Sequence, residues 1–72
     1  MARETAKIMK FQVHQHARSA RWVVRLNDAS YGAYLDTEQA LFDAIDAARD
    51  AQQEGREAQV WMRDRTGVER VL

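Results

Sequence analysis

No cysteine occurs in these 72 residues, and that absence excludes disulfide bridges and thiolate zinc sites outright. No apolar run approaches the ~20 residues that span a bilayer. The opening MARETAKIMK lacks the apolar centre of a secretory leader. Glycine is scarce: the three present are isolated at positions 32, 55 and 67, so there is no glycine-rich loop to cradle a phosphate. Net charge is also missing. Eleven basic side chains offset eleven acidic ones, which removes any global attraction to nucleic acid or anionic lipid. Together these absences imply a soluble, cytoplasmic chain with no membrane association.

What remains is enough for one small domain. A chain this short buries a smaller share of its surface than a longer one, roughly 60% for ~60 residues. Small domains often compensate through disulfides, metals or self-association, and here the last is the one to watch. The charge is also unevenly spread. From Asp36 to Glu57 acids prevail (Asp36, Glu38, Asp43, Asp46, Asp50, Glu54 and Glu57 against Arg49 and Arg56). Elsewhere bases prevail, among them Lys10, Arg18, Arg21, Arg25, Arg63, Arg65 and Arg70. The chain is neutral only as a sum.

Residues 1–8 are polar without a period and are expected to be a flexible N-terminus ahead of a single domain over 9–72. From Met9 the pattern alternates, with Met9, Phe11 and Val13 against Lys10, Gln12, His14 and His16. That is the period of a strand. RWVVRLN repeats the alternation, placing Trp22, Val24 and Leu26 opposite Arg21, Val23 and Arg25. Asn27-Asp28 is turn chemistry. SYGAYLD then gives Tyr31, Ala33 and Leu35 against Gly32 and Tyr34, with Gly32 marking a bulge or a close approach.

The period changes at Asp36. Asp36 or Thr37 suits a helix N-cap, and Gln39 stands three residues after Asp36 as in a capping box. Leu41, Ala44, Ile45, Ala48 and Ala51 recur at helical spacing until Gly55, the natural residue to end a helix in the left-handed conformation. The alanines let such a helix lie close against a sheet. AQVWMRD (58–64) returns to strand alternation, with Ala58, Val60 and Met62 against Gln59, Trp61 and Arg63. DRTG is a turn and VERVL a last strand, in which Val68 and Val71 share a face only through a bulge. The expectation is an α+β fold of two layers, an antiparallel sheet of β-β-β-α-β-β order with one helix packed on one face.

Three local strings carry a family resemblance. They are Trp22-Val23-Val24-Arg25, Asp36-Thr37 opening an alanine-rich helix (Ala40, Ala44, Ala47, Ala48), and the closing hairpin VWMRDRTGVERV. From Phe11 onward the chain resembles the short bacterial proteins grouped as domain of unknown function 2188. The resemblance implies a fold and a small accessory protein. That family has no established activity, so it supplies no functional residue.

Catalytic groupings are thin. General acid–base work needs carboxyls whose pKa values are driven apart, whereas the helix acids stand at exposed spacings. Ser19 and Ser30 sit in no nucleophile elbow. His14 and His16, two apart on a strand, could face one ion, but no cysteine or further histidine completes a set. The expectation is a protein that is not an enzyme and takes no cofactor, metal or small-molecule substrate.

The sheet face away from the helix is the informative surface. It is expected to carry Trp61, Tyr34, Arg25, Arg63, Val23, His14 and Arg21, with Gln12, His16 and Gln59. A water-facing sheet surface should be mostly polar, so Trp and Tyr among arginines call for an account. Arginine stems could simply cover the apolar groups. The face could be a homo-oligomer or protein-partner interface, with Trp, Tyr and Arg as anchors. Or single-stranded nucleic acid could lie on it, bases stacking on the aromatics. An acidic helix stripe of Asp43, Asp46, Asp50 and Glu54 stands apart, suited to docking a basic partner or the basic face of another copy.

Overall fold

The computed structural model describes residues 8–72, so most of the N-terminus expected to be flexible lies outside the described residues. The elements run β1 (Met9–Gln15), β2 (Trp22–Leu26), β3 (Ala29–Tyr34), α1 (Thr37–Gln53), β4 (Ala58–Asp64) and β5 (Gly67–Arg70). One five-stranded sheet of order β3-β2-β1-β4-β5 carries α1 on one face, the α+β architecture expected.

The sheet is mixed, which corrects the antiparallel expectation. β1 pairs with β2, β2 with β3, and β4 with β5 in antiparallel fashion, but the central pair, β1 and β4, is parallel. Geometry explains the difference. Two hairpins bring β3 back to the direction of β1, and a helix laid over the sheet returns the chain in that same direction. β4 thus enters beside β1 running parallel to it. Alternation along one strand contains no information about this order.

Local chemistry sets each boundary. Asn27 turns between β2 and β3 at φ 55°, a left-handed conformation that asparagine tolerates. Its side chain accepts from the Lys10 N–H at 3.1 Å while its own N–H donates to the Lys10 carbonyl at 2.9 Å, so the turn is tied to β1. Asp36 caps α1, its Oδ1 accepting from the Gln39 N–H at 2.9 Å. The helix closes on Gly55 at φ 87°. There the Gly55 N–H bonds to Gln52 O and the Arg56 N–H to Ala51 O, a Schellman end. Beyond β5, Val60 O accepts from the N–H groups of both Val71 and Leu72. That two-on-one pattern is the bulge the VERVL string required, and it returns Leu72 to the core.

The core lies between α1 and the sheet. Phe11, Val13, Val24 and Val60 are fully buried beneath Ala40, Ala44, Ala48 and Ala51 of the helix. Small residues on the helix and large ones on the sheet make the approach close.

β3 overturns part of the reading of faces. Tyr34 pairs with Trp22 and Gly32 with Val24, so Tyr34 packs against the core on the helix side and does not share a face with Trp61. Leu35, expected in the core, is 76% exposed. The cause is a bulge. Val24 pairs with Gly32 but Arg25 with Ser30, so Tyr31 is an extra residue and the faces beyond it exchange. The Tyr34 ring lies on Gly32, its hydroxyl 2.6 Å from where a Cβ would stand; a larger residue there would displace it.

Burial first, then hydrogen bonding to Asp43 and its negative charge, pushes the Tyr34 hydroxyl from 10.0 up to about 12. The fold therefore favours the neutral phenol. This contribution to stability is whole below pH 10.0 and is lost as pH rises through about 12. Urea denaturation across that window should show an alkaline loss that Tyr34→Phe removes; an identical profile in the variant would place the loss elsewhere.

Candidate binding face

The register of the four ladders defines what faces outward. Since Phe11, Val13, Val24 and Val60 point to the helix, strand alternation turns Lys10, Gln12 and His14 of β1 the other way. Val23 and Arg25 of β2 and Gln59, Trp61 and Arg63 of β4 join them. Arg70 and Val68, which pair with Trp61 and Arg63, complete the surface on β5. Side by side across the sheet stand Arg25, Gln12, Trp61 and Arg70, a row of about 14 Å at ~4.8 Å per strand. One step along the strands lie Val23 and His14, then Arg63 and Val68. These outward positions hold arginines and a lysine and no acid.

Trp61 is at the centre and is held in place. Its indole N–H donates to Gln59 Oε1 at 2.9 Å, and the Lys10 ammonium lies 5.2 Å from the ring centroid, a cation–π contact. The ring is half-buried. Beside it a depression of ≈ 480 Å³ is bounded by Lys10, Gln12, His14, Arg25 and Arg63. A second hollow of ≈ 670 Å³ lies at the adjoining sheet end, where His14 and Arg63 meet Trp22 and the Asp64–Thr66 turn. Arg25 is steadied from the turn between β2 and β3, its Nη2 donating to the Asp28 carbonyl at 2.7 Å.

His14 joins the two hollows. Burial first, then the positive charges of Arg63 and Arg25 and the neighbouring His16, hold its imidazole below the ordinary 6.5. The ring is thus neutral at physiological pH. Its Nε2 is shielded from solvent and meets no hydrogen-bond partner among the described residues.

The structure thus brings together Trp61, Arg25, Arg63, Val23 and His14 as expected from the sequence. Arg21 lies just before β2, exposed at the margin of this face, its N–H donating to Ser19 Oγ. Tyr34 is on the other side. His16, expected beside His14, instead organises the β1–β2 loop: its Nδ1 accepts from the N–H groups of Arg18 and Ser19 at 3.2 and 3.3 Å. That use of the nitrogen breaks the paired geometry two strand histidines would have offered an ion. Among the described residues no three His, Cys, Asp or Glu side chains converge as a metal site.

Lys10, Val68 and Arg70 are members that sequence reading left out of the candidate set. Lys10 was legible, since it alternates with Phe11. Arg70 was not, because the bulge after it obscured the register of β5.

Asp43, Asp46, Asp50 and Glu54 are exposed and recur at three- and four-residue spacing, so they share one flank of the helix. Asp43 lies near enough to Tyr34 to help raise the pKa of its hydroxyl, whereas Asp46, Asp50 and Glu54 are exposed on the same flank. Acid and base are therefore on opposite layers of the domain. No helix among the described residues is long and apolar enough to cross a membrane.

Compared with known protein families, with curated proteins and with solved structures, the chain matches none.

Proposed function

We propose that this protein is a small non-catalytic binding domain whose working surface is the outward sheet face, and that its partner there is anionic. One observation carries the reading. The strand register gathers Lys10, Arg25, Arg63 and Arg70 around Trp61 with no outward acid among them, while the acidic stripe of Asp43, Asp46, Asp50 and Glu54 lies on the helix side behind. Such a separation orients an approaching anion toward one face, even on a chain of zero net charge.

Titration with polyglutamate or an oligonucleotide at low salt, followed by amide chemical shifts, tests it. The expected response is confined to β1, β2, β4 and β5 and fades as salt shortens the Debye length from ~30 Å at 0.01 M toward ~8 Å at 0.15 M. Shifts confined to α1, or none at all, would sink the reading.

Self-association is a second reading, favoured by the same charge separation. A symmetric pairing of two sheet faces would set arginines against arginines, and like-charge contacts across an interface cost several kcal/mol. A head-to-tail contact, with Asp46, Asp50 and Glu54 of one copy against the sheet face of another, avoids that. Light scattering that grows with concentration at low salt and collapses at high salt is its signature. A monomer at high micromolar concentration in low salt removes it.

A further inference from the structure

We infer that the anion suited to this face is single-stranded nucleic acid, with one base stacked on Trp61 and phosphates running past Arg25, Lys10 and Arg63. The inference rests on the binding role proposed above and names its partner. A merely basic surface would accept any polyanion. What distinguishes this one is an indole set in the middle of the charges and held from rotating by its bond to Gln59.

Base–aromatic stacking is tolerant of sequence, because every base has a π face. Only an unpaired base can reach such a ring, since duplex bases are stacked within the helix. Lys10 now occupies the neighbourhood of the ring. An exposed cation–π contact is the weaker of the two interactions, so a base displaces the ammonium. The flexible lysine stem then turns the charge onto the adjoining phosphate.

Distances on the sheet agree. Arg25 and Trp61 are separated by one strand, both flanking Gln12, hence about 10 Å apart. That leaves room for a base on the indole and a phosphate on the guanidinium. Gln12 lies between them, where a base edge or sugar would sit. A single aromatic accommodates a single stacked base, so the affinity expected is modest and strongly salt-dependent.

The test uses a labelled short oligothymidylate followed by fluorescence anisotropy at several salt concentrations, with circular dichroism confirming the fold of each variant. Trp61→Ala should weaken binding about tenfold or more and leave the salt slope unchanged. The double variant Arg25→Gln/Arg63→Gln should instead lower the slope by about 1.4, at ~0.7 per phosphate contact. In a Trp22→Phe background, which leaves Trp61 as the sole tryptophan, bound oligonucleotide should quench the emission. Should alanine at 61 prevent folding, Trp61→Leu keeps the apolar body without the indole and carries the same expectation.

Three results overturn the inference. They are equal affinity of the folded Trp61 variants and the parent, equal affinity for duplex and single strand, and competition by polyglutamate as effective as that by unlabelled oligothymidylate at the same charge. Each of these leaves a general anion-binding face standing. A folded protein that binds neither oligonucleotide nor polyglutamate at low salt overturns both.

Discussion

Phe11→Ala should cost about 3–5 kcal/mol, the range for truncating a buried aromatic, and leave much of the chain unfolded at physiological temperature. Phe11 is fully buried on the central strand, paired with Leu26 on one side and Val60 on the other. Its ring also meets Tyr31 edge-on at 5.5 Å between centroids and 90° between planes, an arrangement favourable beyond area burial. The fully buried positions above it are alanines, which have no side-chain length with which to refill a cavity, and Leu41 and Ile45 pack only at the margin of the core. The cost of truncation rises with the cavity left behind, so the upper part of the range is expected. A domain near the bottom of the usual 5–15 kcal/mol cannot absorb such a loss. Thermal and urea unfolding followed by circular dichroism measures it. A loss below about 1 kcal/mol would mean the core collapses around the gap and that Phe11 is not its centre.

That the same residue could be picked out of the sequence shows what was legible there. Period-two alternation located Phe11, Val13, Val24, Ala58 and Val60 correctly, because each stands in an uninterrupted stretch of strand. The helix was legible from end to end, since Asp36, the alanine spacing and Gly55 agree with one another. Tyr34 and Leu35 were misplaced for one physical reason. The bulge at Tyr31 adds a residue to β3, and every side chain beyond it changes face. Gly32 signalled the irregularity without giving its direction. His16 was expected on the open sheet face, but β1 ends at Gln15 and its ring turns to the loop backbone instead. The parallel pairing of β1 with β4 could not be read at all: it follows from where α1 crosses the sheet, which is a property of the assembled layers. The candidate face was therefore half visible. Trp61, Arg25, Arg63, Val23 and His14 came from alternation, while Arg70 had to await the pairing of β5 with β4.

Ala44→Leu provides the complementary case, in which too much side chain is the fault. On a solvent-exposed helix the exchange would be close to neutral, because leucine is nearly as good a helix former as alanine. Ala44 is fully buried, as are Ala40 and Ala48 one turn to either side, and together they form the strip on which α1 rests against Phe11, Val13, Val24 and Val60. Added carbons there must lift the helix or force side chains off their rotamers, typically at 1–3 kcal/mol. The packing cost exceeds any propensity effect, so a clear loss of stability is expected. Arg49→Leu, exposed on the same helix, should stay within about 0.5 kcal/mol of the parent. A stabilised Ala44→Leu protein would mean that the two layers are further apart than this core requires. The substitution also separates stability from binding. Ala44 acts through the helix layer, while Lys10, Arg25, Trp61 and Arg63 project from the far side of the sheet. At temperatures where the variant remains folded, its outward face should bind with parental affinity and an unchanged salt slope. Altered binding by folded Ala44→Leu would show that helix position reaches the face through the twist of the strands.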